Sequence, residues 1–147
     1  MLRRGKGLLV VEEPEAQLHP ELQRIIAWLL LYLSGKGISV IATTHSDFIA
    51  VESRIAYRAA RIGVEAVERI LSELLGMKLS HEVVSEISKA ISRAKLIPIY
   101  FSKGSFRELT LSEFEEQVPG IMPVASSQLR TMELLGELEE KKQMKKG

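Results

Sequence analysis

The chain of 147 residues contains no cysteine. This absence excludes disulfide bonds and every metal site that is built from thiolates. It also suits the reducing environment of the cytosol, where disulfides are rare. We therefore expect a cytoplasmic protein.

Long apolar runs are missing as well. The basic start of the chain, residues 1–6, is followed by an apolar run of only four residues, Leu8–Val11, which is too short for a signal peptide. The run Ile25–Leu33 is apolar throughout, but a membrane-spanning helix needs about 20 such residues. The sequence therefore predicts no membrane span.

Neither sign of charge is in excess. The 20 basic and 19 acidic side chains leave a formal charge of +1, so no overall field draws the protein to nucleic acid or acidic lipid. The lysines of residues 141–146 stand beside Glu137, Glu139 and Glu140, a mixture that indicates a solvated tail. Charge gives no support to nucleic-acid binding.

The first third of the chain predicts a strand, a helix and a second strand. The strands are the valine- and isoleucine-rich runs 8–12 and 38–43, whose continuous apolar character predicts burial on both faces. Pro20 is placed as a first helical residue, and the helix should end before residues 34–37. Its predicted core stripe is Leu22, Ile25, Ile26, Leu29, Leu30 and Leu33. This order predicts parallel strands joined by a crossover helix.

The rest of the chain predicts helices and a hairpin. Apolar spacing indicates helices from Phe48 to Ile62, from Val64 to Leu75 and from a cap at Ser80 to Ala94. Strand-like runs at 97–101 and 107–111 should form a hairpin around a loop at 102–106, and a last helix should begin at Ser126 or Ser127.

No linker or internal repeat divides the sequence, so we expect a single α/β domain over residues 1–147. Its parts are parallel strands with a crossover helix (7–48), a helical middle segment (49–95), a carboxyl-terminal hairpin plus helix (96–136) and a tail (137–147) that should fray.

Three side chains that can carry chemistry follow the two parallel strands. Glu12 and Glu13 stand at the end of the first strand, and His45 follows the second. The carboxyl ends of parallel strands share one edge of the sheet, where ligands bind in open sheets. A carboxylate that holds a metal ion, a carboxylate that orients water and an imidazole that contacts phosphate suit phosphoryl transfer.

These residues resemble a known family. Residues 8–15 (Leu-Leu-Val-Val-Glu-Glu-Pro-Glu) are similar to the Walker B strand of ABC-type ATPases. Residues 16–20 (Ala-Gln-Leu-His-Pro) resemble the D-loop of their SMC, RecF and OLD-like branch, and residues 43–46 (Thr-Thr-His-Ser) resemble their switch motif. The resemblance implies part of a P-loop NTPase sheet.

By this resemblance, Glu12 is the acid on the side of Mg²⁺, with contact direct or through water, Glu13 is the general base and His45 is the phosphate sensor. Ser46 belongs to the same nucleotide contacts. The resemblance also places Ala16, Gln17, Leu18 and His19 at a dimer interface. His19 precedes Pro20, so a helix-capping role is an equal alternative for it.

The phosphate-gripping half of such a site is absent from this sequence. The Walker A form Gly-x-x-x-x-Gly-Lys-Ser/Thr occurs nowhere, and neither does a serine-glycine-glycine signature motif. We therefore expect ATP and Mg²⁺ to bind only when another lobe or chain, in a homo- or heterodimer, supplies the Walker A loop. The resemblance therefore implies the hydrolysis-side lobe of an ABC-type ATPase, without turnover on its own.

Two other functions stay open at this point. One is a non-catalytic interaction module that keeps the ATPase fold as a scaffold. The other is a protein associated with nucleic acid, since relatives in this branch often serve DNA repair or defence. In the first helix, Trp28, Leu31 and Tyr32 fill the faces beside the apolar stripe, so we expect another lobe or chain to cover part of it.

Overall fold

The computed structural model describes residues 7–110 and 126–146, apart from the side chains of residues 102 and 126–130. In chain order the elements are β1 (Leu8–Glu12), α1 (Pro20–Gly35), β2 (Ser39–Thr43), α2 (Asp47–Ile62), α3 (Val64–Leu75), α4 (His81–Arg93), β3 (Ile99–Ser102), β4 (Ser105–Glu108) and α5 (Ser126–Met144). The α/β class is confirmed, with a short parallel sheet, a helical middle segment and a carboxyl-terminal hairpin plus helix.

The strands β1 and β2 are parallel neighbours, as predicted. Their register runs from Leu8 opposite Ser39 to Glu12 opposite Thr43. Helix α1 is the crossover between them, because a parallel pair cannot be joined by a tight turn. Both strands therefore end at the same edge of the sheet.

The prediction that these strands are buried on both faces is wrong. Leu8 and Val10 are each 65% exposed and Ile41 is 56% exposed, and their alternate positions and register place them on one face. The opposite face, with Leu9, Val11 and Val40, is half-buried. Within residues 7–110 and 126–146, helices therefore shield only one side of the pair.

The core lies among the helices. Large side chains from α2, α3 and α4 are fully enclosed there, and α1 and α5 add further buried residues around them. The innermost apolar residues, each with no exposed area, include Ile55, Ala56, Val67, Ile70, Val84 and Ile91. This part of the chain closes a core without help from the sheet.

Helix α1 buries a different face from the one predicted. Its stripe residues Leu22 and Leu29 are 49% and 50% exposed, whereas Arg24, Ala27, Trp28 and Leu31 are buried. The reason is a polar network that helical periodicity does not show.

This network is a buried ion pair with one further donor and one further acceptor. Arg24 Nε donates to Glu52 Oε2 at 2.7 Å, and Trp28 Nε1 donates to Glu52 Oε1 at 2.8 Å. Arg24 also donates to Thr131 Oγ1 at 3.2 Å. A buried charge is tolerated when it is paired and hydrogen-bonded, so α1, α2 and α5 meet at these side chains.

The hairpin is tighter than predicted. Strands β3 and β4 pair with Phe101 opposite Phe106, and only Lys103 and Gly104 lie between the paired residues 102 and 105. Both turn residues have positive φ, 46° and 78°, as a two-residue hairpin turn of the type I′ class requires. The predicted loop at 102–106 was therefore too long, and the strands do not begin at 97 or 107.

Helix α5 begins at Ser126, as predicted, but the predicted fraying of residues 137–147 is wrong. The helix continues to Met144, with Gly147 outside the described residues. Leu138 is buried, Arg58 Nε donates to Glu139 Oε1 at 2.9 Å, and Lys142 Nζ donates to the backbone oxygen of Ile62 at 2.7 Å. These contacts hold the charged end of α5 against the end of α2.

Among the described helices, none has the length and apolar character needed to cross a membrane.

Candidate functional site

The acidic end of β1 turns sharply away from the sheet. Glu12 is the last residue of the strand, and Glu13 takes a left-handed backbone conformation with φ of 45°. The Glu13 amide still donates to the Thr43 oxygen at 3.0 Å, so this residue stays tied to the end of β2. Non-glycine residues adopt such φ values at a cost, and they concentrate at functional sites.

Glu13 and His45 meet at this edge of the sheet. Glu13 Oε1 lies 3.5 Å from His45 Nε2, and the two side chains are 53% and 89% exposed. A carboxylate and an imidazole at this separation can both hydrogen-bond to one bound water. The structure therefore brings together two of the side chains that the sequence singled out.

Glu12 stands one residue earlier and is exposed. In the described part of the chain, no three or more His, Asp or Glu side chains cluster in a way that could hold a metal ion. An ion bound by Glu12 would thus take most of its ligands from water or substrate.

Glu15 is a site residue that sequence reasoning did not single out. Its Oε1 accepts hydrogen bonds from the Thr44 hydroxyl and from the His45 amide, both at 2.7 Å. Its other carboxylate oxygen, Oε2, is buried and accepts no hydrogen bond from the described residues. Glu15 therefore fixes the backbone of the residue that carries the imidazole.

The titration of Glu15 reflects these bonds. Burial by itself would raise the pKa of Glu15, but hydrogen bonds from the Thr44 hydroxyl and from the backbone around His45 and Ser46 outweigh it and lower the pKa from its ordinary value of 4.5. The sequence shows Glu15 only as a third acid, two residues after Glu13. The donors that it meets belong to the loop that follows the neighbouring strand. Its partner could be named only once both loops were placed.

Ser46 caps α2 and is already engaged by two partners. Its Oγ accepts from the Ile49 amide at 3.3 Å and donates to Gln23 Oε1 at 2.5 Å. The Gln23 Nε2 in turn donates to the Leu18 oxygen at 2.9 Å. The hydroxyl hydrogen of Ser46, a predicted nucleotide contact, is thus directed to Gln23.

The predicted interface segment lies beside this network. Ala16, Gln17 and His19 are exposed, and Leu18 is half-buried. His19 occupies the N-cap position of α1, but its side chain makes no capping hydrogen bond. Its capping role is therefore confined to the backbone, and the interface role stays a prediction.

A protein-family model matches the first third of the chain. Residues 1–52 match a model of an AAA-type domain, a nucleotide-binding, ATPase-like scaffold of the P-loop NTPase-related kind. The family is described as "AAA domain, putative AbiEii toxin, Type IV TA system". Neither the curated proteins nor the solved structures yielded a match. The matched stretch contains β1, α1, β2 and every site residue described above.

Proposed function

We propose that this chain is the hydrolysis-side lobe of an ABC-type ATPase of the SMC, RecF and OLD-like branch. It hydrolyses ATP when a second lobe or chain supplies the Walker A loop. The observation that carries the proposal is the approach of Glu13 Oε1 to His45 Nε2, 3.5 Å apart, at the carboxyl edge of a parallel strand pair. The family match over residues 1–52 supports the ATPase class.

The side chains divide the work of the reaction. Glu13 orients the attacking water and accepts its proton, and its 53% exposure leaves room for that water. His45 contacts the terminal phosphate and stabilises the charge that develops there. Glu15 keeps His45 next to Glu13 through the His45 amide. Ser46 follows His45 directly and takes part by capping α2.

Glu12 fits the role of a magnesium ligand. Mg²⁺ is commonly held by one or two carboxylates together with substrate phosphates and water, so it requires no cluster of three protein ligands. When bound, the ion neutralises charge on the phosphate oxygens. Glu12 is exposed at the end of β1, where it can contribute one such carboxylate.

The need for a second lobe is supported by the open face of the sheet. Parallel strands are normally covered on both faces, yet Leu8, Val10 and Ile41 are more than half exposed. This face leads along β1 directly to Glu12. A lobe that covers these side chains would therefore stand next to the site that it has to complete.

The test is reconstitution. If the sequence immediately upstream encodes a polypeptide with a Walker A motif, the chain is co-expressed with it, and phosphate release from ATP and Mg²⁺ is measured on the purified complex. Replacing Glu13→Gln removes the base while keeping the size of the side chain, so we expect kcat to fall by at least about 100-fold with the complex intact. Glu82→Gln, an exposed glutamate in the first turn of α4, is the matched control and should leave kcat unchanged.

Two results would count against the proposal. Hydrolysis that is indifferent to Glu13→Gln would remove Glu13 as the base. A stable complex without any hydrolysis would favour a non-catalytic interaction module on the same scaffold.

A further inference from the structure

The side-chain amide of Gln23 connects two loops that are far apart in the sequence. Its Nε2 donates to the oxygen of Leu18, and its Oε1 accepts from the hydroxyl of Ser46, at 2.9 and 2.5 Å. Leu18 is the half-buried member of segment 16–19, whose other residues are exposed. Ser46 follows His45 directly. One side chain therefore touches both the segment predicted to meet a partner and the loop that carries the imidazole.

The part of α1 that carries Gln23 is held in place by buried contacts. The next residue, Arg24, is 2% exposed and is held by Glu52 of α2 and by Thr131 of α5. Moving the start of α1 would break a buried ion pair, which is strongly unfavourable because it leaves an uncompensated charge. The two loops can thus shift relative to Gln23 more easily than Gln23 can follow them.

The chemistry of an amide makes the two contacts interdependent. One end of the group can only donate and the other can only accept. If Ser46 no longer donates, the Gln23 amide can regain a hydrogen bond by turning its NH₂ group toward position 46. This rotation removes the hydrogen bond that Gln23 donates to Leu18. A change in the contact with Ser46 therefore alters the hydrogen bond to Leu18.

We propose that Gln23 is a positioning residue that couples segment 16–19 to the switch loop, residues 44–46. The purpose of this coupling rests on the proposed function: a partner that docks on segment 16–19 adjusts the position of His45 beside Glu13. The coupling itself rests on the contacts alone, so it can be tested without nucleotide and without a second lobe.

The experiment is amide hydrogen exchange, followed by NMR on the full chain. Ser46→Asp keeps an acceptor that caps α2 but has no hydroxyl to donate to Gln23. We expect the Leu18 amide, which bonds to the Glu15 oxygen, to exchange about fivefold faster in this variant, the size of effect that a lost hydrogen bond produces. In a Gln23→Met background, the same change at Ser46 should leave Leu18 exchange unaltered.

Controls separate coupling from loss of stability. Gln143→Met, at an exposed position of α5, should preserve the response of Leu18 to Ser46→Asp. Exchange at Ile55, in the core, should stay constant in all variants. If Gln23→Met does not fold, Gln23→Leu serves instead, because it likewise removes both the acceptor for Ser46 and the donor to Leu18.

A Leu18 response that is absent, or that is equal with and without Gln23, would overturn the coupling. The failure of the proposed function would look different. In that case the exchange data would show the coupling, while the reconstituted complex would not hydrolyse ATP.

Discussion

The helices and the parallel strands of this chain differ in how completely they are packed. Ile55, Ile70 and Ile91 have no exposed area, whereas Val10 and Ile41 on the strands are 65% and 56% exposed. All five are β-branched and apolar, so composition does not explain the difference. The number of packed layers explains the difference. Helices surround the three isoleucines of the core, but they cover only one side of the strands.

The candidate site lies where these two regions join. Glu13 and His45 belong to the open edge of the strands, while Gln23 is held by its neighbour Arg24 in the helical core. Reactive side chains that are exposed, on loops that a rigid scaffold positions, are typical of functional sites. The open strand edge therefore leaves the candidate site accessible, while the helical core holds its supporting residues in place.

The largest effect on stability should come from a substitution in the helical core. A matched substitution on the strands serves as its comparison. Ile55→Thr removes apolar contacts and buries a hydroxyl, so we expect it to lower the free energy of unfolding by about 2–4 kcal/mol. Ile41→Thr keeps a β-branched side chain on an exposed strand face and should change it by less than about 0.5 kcal/mol. Urea denaturation of both variants checks this. Equal losses would mean that the strand face is covered in solution.

A smaller effect should follow when the contact between α1 and α4 is disturbed. A Cβ added at Gly35 would lie 1.8 Å from the backbone oxygen of Ala90, so the two helices have to separate. We expect Gly35→Ala to destabilise the protein by about 1–3 kcal/mol in thermal unfolding.

Gly136→Ala is the control for this change, because a Cβ there would meet no atom within 4 Å. It should stabilise α5 by about 0.5–1 kcal/mol through the better helix propensity of alanine. A loss of stability at position 136 as large as that at position 35 would show that the helix contact is not the cause.

The smallest effect concerns the site and pH. The pKa of Glu15 is lowered when the protein folds, so the unfolded chain binds the proton more tightly. The ionised carboxylate therefore contributes stability above the unfolded value near 4.5, and this contribution is lost as the pH falls from there through the folded pKa. A carboxyl ¹³C titration should place the Glu15 midpoint below 4.5.

Thr44→Val removes a hydrogen-bond donor to Glu15 and should move this midpoint upward. Thr43→Val, at an exposed position on the neighbouring strand end, should leave it in place. Identical titrations of Glu15 in both variants would contradict the part assigned to the Thr44 hydroxyl.

Most of the fold could be predicted from local patterns in the sequence. The bounds of β1, the start of α1 at Pro20, the glycines on either side of α3 and the cap at Ser80 all follow from backbone preferences, which act over a few residues. The pairing of β1 with β2 followed from the order of the elements. These features need no knowledge of distant contacts.

The errors concern contacts between distant residues. The buried face of α1 depends on Glu52, 28 positions after Arg24, and the ordered end of α5 depends on Arg58, 81 positions before Glu139. In the site, Glu13 and His45 were predictable because two strand ends share an edge. Glu15 and Gln23 were missed because their partners lie on loops whose relative position no periodicity encodes.

The left-handed backbone of Glu13 has a consequence for how this chain can change over generations. Glycine tolerates φ of 45° more readily than glutamate, so substitution by glycine should be favoured wherever selection acts on folding alone. A library of variants sorted only for thermal resistance should lose this carboxylate. A library sorted for ATP turnover by the reconstituted complex should retain it, and the difference between the two would measure how far function and stability compete at this one residue.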